Sequence, residues 1–477
     1  MEKGYNNKYL ILITVISAMG GLLFGYDWVV IGGAKPFYEI YFGIAGTPVL
    51  QGWAMSAALI GCLIGAAISG VLSDKYGRKY LLITSAALFF LTSFATGFSN
   101  SFNLFVSARI AGGVAIGLAS NLSPMFIAEV SPAEVRGKYV SFNQLTIVVG
   151  ILAAQLINWF IAKPVPLGAS AAEILNSWNG QTGWRWMFWA CAIPSALFFL
   201  FMWFVPESPR WLAKKPENKK KVQSILGRIG GDDYARNQII DIEKTLINKE
   251  SKAKFSVLLK PGLRTVAIIG IIIAIFQQWC GINVIFNYAQ EIFSAAGYGV
   301  SDILFNIVIT GSVNLIFTFV GMFAVDKFGR RALMLIGAGG LAVIYAIIGS
   351  LYYFHFYGLP LLVLVVTAIA CYAMSLAPVT WVIISEIFPN RIRGIAMSTA
   401  TFALWTACFI LTYTFPIINK ALNSFGTFWL YGLICILGFL FIYKRLPETK
   451  GKSLEQIERE LTYAQTELNI NLAESEK

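Results

Sequence analysis

The chain has 477 residues, of which 57% are hydrophobic and 13% charged, with a mean hydropathy of +0.66; soluble proteins carry about 25% charged residues. One hydrophobic core stops growing at roughly 250–300 residues, so this apolar excess needs a second solvent to face, and the bilayer is that solvent. An ordinary soluble enzyme is excluded, and the formal charge of +12 must come from topology or from a nucleic-acid partner.

A membrane span needs about 20 mostly apolar residues. Runs of that kind fall near residues 9–33, 50–73, 80–98, 102–127, 139–162 and 186–205. The segment before the first run carries two lysines, but no A-x-A cleavage site follows and Asp27 lies inside the run, which predicts a retained span and not a signal peptide. A polar insert comes next, in which Val222–Ile229 and Ile239–Ile247 are predicted as short amphipathic helices along the cytoplasmic face. Six more runs fall near 264–294, 303–325, 332–354, 360–385, 395–418 and 426–443. The acidic tail after Leu454 is predicted as a short, fraying helix. The domains expected are an N-terminal half over 1–206, a linker over 207–263, a C-terminal half over 264–446 and a tail over 447–477.

With the N-terminus inside, all but five of the 37 basic residues fall on the cytoplasmic side, the exceptions being Lys35, Lys163, Arg185 and Lys420 outside and Arg109 within the membrane. The positive charge is then a topology signal, and no nucleic acid is expected. Both termini are expected in the cytoplasm. The six cysteines all lie in apolar runs and read as small hydrophobes, with no disulfide framework or metal site.

Repetition organises the sequence further. Ser73-Asp-Lys-Tyr-Gly-Arg-Lys79 recurs as Val325-Asp-Lys-Phe-Gly-Arg-Arg331. Ala128-Glu-Val-Ser-Pro with Arg136-Gly137 recurs as Ser385-Glu-Ile-Phe-Pro with Arg393-Gly394, and Pro206-Glu-Ser-Pro-Arg210 is echoed by Pro447-Glu-Thr-Lys-Gly451. Each copy follows the second, fourth or sixth span of its half. The expected fold is an all-α membrane protein, twelve transmembrane helices in two pseudo-symmetric six-helix halves with short cytoplasmic helices. Gly61-x3-Gly65 and Gly113-x3-Gly117 predict close helix packing within one half.

Together with Gln277-Gln-Trp-Cys-Gly-Ile-Asn283, these phrases resemble the signatures of the sugar porter family of the major facilitator superfamily, from Gly20 to about Leu454. The similarity is to its bacterial xylose, glucose and galactose proton symporters. The resemblance implies a secondary transporter with a monosaccharide and a proton as partners, and a monomer in the cell membrane. No nucleophile triad, metal cluster or phosphate loop is found, so neither an enzyme nor a cofactor is expected.

Three groups of residues are singled out. Arg78, Glu129, Arg136, Glu207 and Arg210, with Asp326, Arg330, Glu386 and Arg393, cluster at cytoplasmic helix ends and read as ion-pair latches. Asp27 and Arg109 are the charges placed well inside spans. At 1.5 Å per residue their heights agree to about a helical turn, and a lone charge there costs at least ~2.5 kcal/mol, so a pair is expected. If movement removes Arg109, desolvation favours the protonated acid, which would couple proton binding to helix rearrangement. In the family resembled, symporters carry this Asp and facilitators a neutral residue. A static brace, as in a facilitative uniporter, is the competing reading, and a non-transporting sugar sensor is a third.

A sugar offers hydroxyl donors and acceptors around an apolar ring, so its site needs amides and aromatic faces. Gln144, Ile151, Gln155 and Asn158 share one face of span 5; inter-helix hydrogen bonding is the alternative use of that stripe. Gln278 and Asn283 would stand 140° apart on a straight helix, so span 7 is predicted to unwind around Cys280-Gly281. The resemblance implies sugar contacts at Gln144, Gln277, Gln278, Asn283, Asn314, Trp381 and Trp405, with Pro378 bending span 10 beside Trp381. Ile151, Asn287 and Leu404 depart from the xylose symporter pattern, and Ile151 and Asn287 are the specificity candidates. His355 reads as an interfacial aromatic neighbour.

Overall fold

The computed structural model describes residues 5–132, 134–166, 168–247, 258, 263–388 and 393–450. The tail after Leu454, most of 248–262 and the side chains of Asp326 and Arg393 lie outside what it describes. Two compact units form, Met1–Lys252 and Ala253–Lys477. Among the described residues there is no strand.

The first unit contains α1 (Asn7–Tyr41), α2 (Pro48–Tyr76), α3 (Arg78–Gly97), α4 (Phe102–Val130), α5 (Arg136–Ile161), α6 (Asn179–Met202) and α7 (Lys219–Ile247). The second contains α8 (Leu263–Asn287), α9 (Val300–Phe328), α10 (Arg330–Tyr353), α11 (Leu359–Ile384) and α12 (Arg393–Arg445). Every one except α7 is long and apolar enough to cross a membrane, eleven in all. The last apolar stretch, Ile395–Arg445, has 51 residues, more than twice the ~20 that one crossing requires. Asn423 interrupts α12 with φ 56° and ψ 174°, so this element supplies two spans and the total is twelve.

Both units use the same packing pairs. α1 lies on α5 and α2 on α4; in the second unit α8 lies on α12 and α9 on α11. The predicted glycine pairs knit α2 to α4. A Cβ at Gly113 would stand 1.9 Å from the Ala58 carbonyl oxygen, and one at Gly61 2.0 Å from that of Ile110. Backbones approach this closely only without side chains between them, the route by which helices associate where lipid removes the hydrophobic drive.

The polar insert forms two helices, as its two amphipathic stretches predict: α7 is interrupted at Gly231, with φ 82°. Its apolar side folds on itself and on the turn Pro209–Leu212, burying Leu212, Val222, Leu226, Ala235 and Ile242. The chain start is tied to it: Asn6 donates to the Ile229 carbonyl at 2.9 Å, and the Tyr5 and Tyr234 rings meet edge to face at 5.5 Å. Tyr5 also donates to Glu134 at 2.8 Å. This side of the first unit, with Arg78 and Glu129, is termed the basic end below.

Candidate functional site

Asp27 and Arg109 meet as expected. Arg109 Nη1 stands 2.7 Å from Asp27 Oδ1, Nη2 donates to the Asp27 carbonyl at 3.3 Å, and the guanidinium lies 5.6 Å from the centre of the Phe188 ring. Asp27 is 7% exposed and Arg109 3%. Among the described residues, Asp27 Oδ2 and Arg109 Nε have no hydrogen-bond partner. The pair is thus held on one side only. A buried ion pair compensates its desolvation well only when its remaining polar atoms are also satisfied.

A second buried pair escaped the sequence reading, which ended span 1 at residue 33 and placed Lys35 outside. α1 continues to Tyr41, and Lys35 Nζ stands 2.7 Å from Glu39 Oε1 with both residues buried. Lys35 and Glu39 thus form a second buried ion pair in the same helix as Asp27. The signal available in the sequence was the i,i+4 spacing of a lysine and a glutamate directly after an apolar run.

In the second unit, α8 breaks where predicted. The helix runs to Trp279, Gly281 adopts φ 86°, and helix resumes at Ile282. The break brings three predicted amides into one chain: Asn283 donates to Gln278, Gln278 to Gln277 at 2.8 Å, and Gln277 to the Tyr372 hydroxyl at 2.5 Å. Tyr372, on α11, was not foreseen, because a tyrosine in an apolar run carries no spacing signal. Asn287 is buried with Oδ1 unpartnered. α11 breaks at Ser375, three residues before Pro378. Proline lacks the N–H that would bond the carbonyl of Met374 four residues back, which accounts for the predicted bend. Of the remaining candidates, Asn314, Trp405 and Leu404 are buried and Trp381 is 39% exposed.

On α5 the four-residue stripe divides. Gln144 is half-buried and Ile151 buried. Asn158 donates to the Val30 carbonyl at 3.0 Å, the inter-helix use of an amide. Gln155, 2% exposed, has neither side-chain polar atom partnered among the described residues.

The repeated motifs at the basic end of the first unit and their counterparts in the second share one construction. Arg78 Nη2 pairs with Glu129 Oε1 at 2.9 Å, and Arg330 Nη2 with Glu386 Oε1 at 3.1 Å. Ser208 and Thr449 donate hydroxyls to the second oxygens of Glu129 and Glu386. Glu207 engages backbone here, with no ion pair among the described residues. It accepts the backbone N–H groups of Arg78, Lys79 and Ser208, and so caps the start of α3. Glu448 caps α10 in the same way through Arg330, Arg331 and Thr449. A carboxylate suits this place because the first N–H groups of a helix lack partners and its dipole favours negative charge. Gly77 and Gly329 bring the backbone close to it, with φ of 92° and 89° and the capping carboxylate 2.2 and 2.8 Å from where a Cβ would be. Burial raises the Glu207 carboxyl above its ordinary value despite its N–H donors. Burial also acts to raise Glu448, but there the backbone donors prevail and hold the carboxyl below its ordinary value. Arg136 and Arg210 form no ion pair among the described residues, so their predicted latch role has no partner within either unit.

The six cysteines are free and buried. His355, at φ 56°, places Nδ1 2.7 Å from the Tyr357 hydroxyl.

Residues 13–461 match the family described as sugar (and other) transporter. The chain is 38% identical to the arabinose-proton symporter of Bacillus subtilis, with 96% of each chain covered, and 38% identical to the D-xylose-proton symporter of Escherichia coli K12, with 96% of this chain and 97% of that one covered. The inward-open conformation of the xylose transporter XylE from E. coli is similar with a TM-score of 0.82 at 37% identity, covering 94% of this chain and 99% of that one. With twelve spans, duplicated halves and these relatives, the chain belongs to the sugar porter family of the major facilitator superfamily, and it is a membrane transporter and not an enzyme.

Proposed function

We propose that the protein imports a monosaccharide, a pentose or hexose such as xylose or glucose, together with a proton by alternating access. It would act as a monomer in the cell membrane with both termini in the cytoplasm. The observation that carries the reading is the half-satisfied Asp27–Arg109 pair. The bare Oδ2 is the oxygen on which a proton would sit. Ionised Asp27 is favoured while the guanidinium stays close, and separation of the two would leave a buried charge that a proton neutralises. Proton binding and helix rearrangement then become one equilibrium. Relatives named for arabinose-proton and xylose-proton symport support it.

The proposed sugar contacts are Gln144 on the first unit and Gln277, Gln278, Asn283, Asn314, Trp381 and Trp405 on the second, with Ile151 and Asn287 setting specificity. Amides of the Asn283–Gln278–Gln277 chain would exchange bonds with each other for bonds with sugar hydroxyls. The proton is the coupling ion, and no cofactor enters. Arg78–Glu129 and Arg330–Glu386, with Glu207 and Glu448, would hold the cytoplasmic ends of each unit's helices rigid as the units move.

Asp27→Asn tests the coupling. In proteoliposomes it is expected to abolish uphill sugar accumulation and retain counterflow exchange. Accumulation at the parent level would remove the role given to Asp27.

A further inference from the structure

The proposed function leaves the Lys35–Glu39 pair without a task. Lys35 is 1% exposed and Glu39 5%, and Gln51 at the start of α2 donates to Glu39 Oε2 at 2.8 Å. Glu39 lies in the last turn of α1, where the negative end of the helix dipole opposes a carboxylate. Lysine preceding glutamate is also the weaker order for an i,i+4 pair. Helix stability therefore gives no reason for these charges, and ionisable residues within a span are functional by default. Phe24, Trp28, Lys35 and Glu39, spaced by 4, 7 and 4 residues, form one stripe of α1. It begins with the edge-to-face ring pair Phe24–Trp28 at 5.9 Å.

We propose that Glu39 is a proton-collecting carboxylate at the outer mouth of the transporter, upstream of Asp27; the proposal rests on the proton-symport reading. Lys35 and Glu39 belong to one helix and Gln51 to the same unit, so motion of one unit against the other cannot break the group. When water enters, external hydronium gives its proton to the Glu39 carboxylate and leaves as water, while Lys35 keeps its own proton. When the outer side is closed to bulk water, attraction between Lys35 and the carboxylate strengthens as the local dielectric falls. The carboxylic acid then gives its proton to a remaining water beside it, which as hydronium passes it on toward Asp27, about 18 Å along the helix, and the ion pair re-forms. The other charges on elements packed against the outer half of α1 are already engaged. Arg109 of α4 is held by Asp27, Arg185 of α6 by the carbonyls of Gly97 and Ser99, and Glu173 of the helix Ala171–Asn176 by Ser170. The outer halves of α2, α3 and α5 carry no charged residue.

The test is gradient-driven uptake by the full chain in proteoliposomes across a series of external pH, using whichever of labelled xylose, arabinose or glucose the parent accumulates. Glu39→Gln is expected to lose about tenfold in uptake rate at alkaline external pH, the scale on which a local charge concentrates counter-ions. It is expected to match the parent at acid external pH, where bulk protons suffice. Lys35→Met combined with Glu39→Gln removes both charges, keeps the bulk and leaves no lone buried ion, so it serves even where the single variant does not fold; the same alkaline deficit is expected. A parent-like profile in the double variant, or an equal loss at both ends of the pH range, identifies a packing pair and overturns the proposal. Absence of gradient-driven uptake in the parent chain overturns the symport reading and this proposal with it, and is distinguishable because it appears before any substitution.

Discussion

Glu207 and Glu448 both accept backbone N–H groups yet are shifted in opposite directions, because Glu207 is the more deeply buried and Glu448 accepts a further N–H, that of Lys450. The sign of their pH dependence follows. A carboxyl raised in the folded state contributes stability below its unfolded value that is lost as pH rises through the carboxylate range, whereas a lowered one contributes stability at higher pH that is lost on acidification. At neutral pH, Glu448→Gln should lower the denaturation temperature more than Glu207→Gln. The gap should narrow as the pH falls through and below the ordinary carboxylate range, where Glu448 in turn takes up its proton. Thermal unfolding of the two variants in detergent, measured across that range, checks it; a larger loss for Glu207→Gln at neutral pH would contradict the assignment. Sugar affinity is set at the same scale. Gln278→Ala removes the central member of the amide chain and should weaken sugar binding by roughly 1–3 kcal/mol, the cost of leaving buried partners unsatisfied. Isothermal titration of the purified protein with its sugar reads this directly, and unchanged affinity would place the site elsewhere.

At the scale of elements, the break in α8 and the bend in α11 were legible because they depend on local chemistry: Gly281 between two polar pairs that cannot share a face, and Pro378 in an apolar run. The α2–α4 contact was legible for the same reason, from paired G-x3-G spacing. Gly113→Ala should force these helices apart and cost about 3 kcal/mol or more, the upper range for overpacking. Gly70→Ala on α2 meets nothing within 4 Å and should be neutral or slightly stabilising. Denaturation temperatures of the two variants separate these outcomes, and equal values would mean the contact is not tight. Tertiary context was not legible. The Glu207 carboxylate reads as one more loop charge until the α3 N-terminus is seen against it, and Lys35 reads as a flanking cation until α1 is seen to continue past it. Nothing in local sequence marks the Tyr372 hydroxyl as the acceptor for Gln277, or Val30 as the acceptor for Asn158.

For the whole molecule, the duplicated motifs predict two similar halves, and the two units carry the same packing pairs and a carboxylate cap each. The mean hydropathy foretold the solvent. Symmetry ends at the ion pairs Asp27–Arg109 and Lys35–Glu39, which belong to the first unit, while the hydrogen-bonded amide chain belongs to the second. Under the proposed function, proton chemistry and most of the sugar recognition are thereby assigned to different halves of a duplicated protein, and transport couples them. The most direct test is uptake of labelled xylose, glucose, galactose, arabinose and fructose into proteoliposomes, with and without an imposed inward proton gradient. Accumulation of a sugar above its external concentration only when the gradient is present is the predicted result, whereas equal uptake to equilibrium under both conditions would contradict proton coupling and leave Asp27–Arg109 as a structural pair.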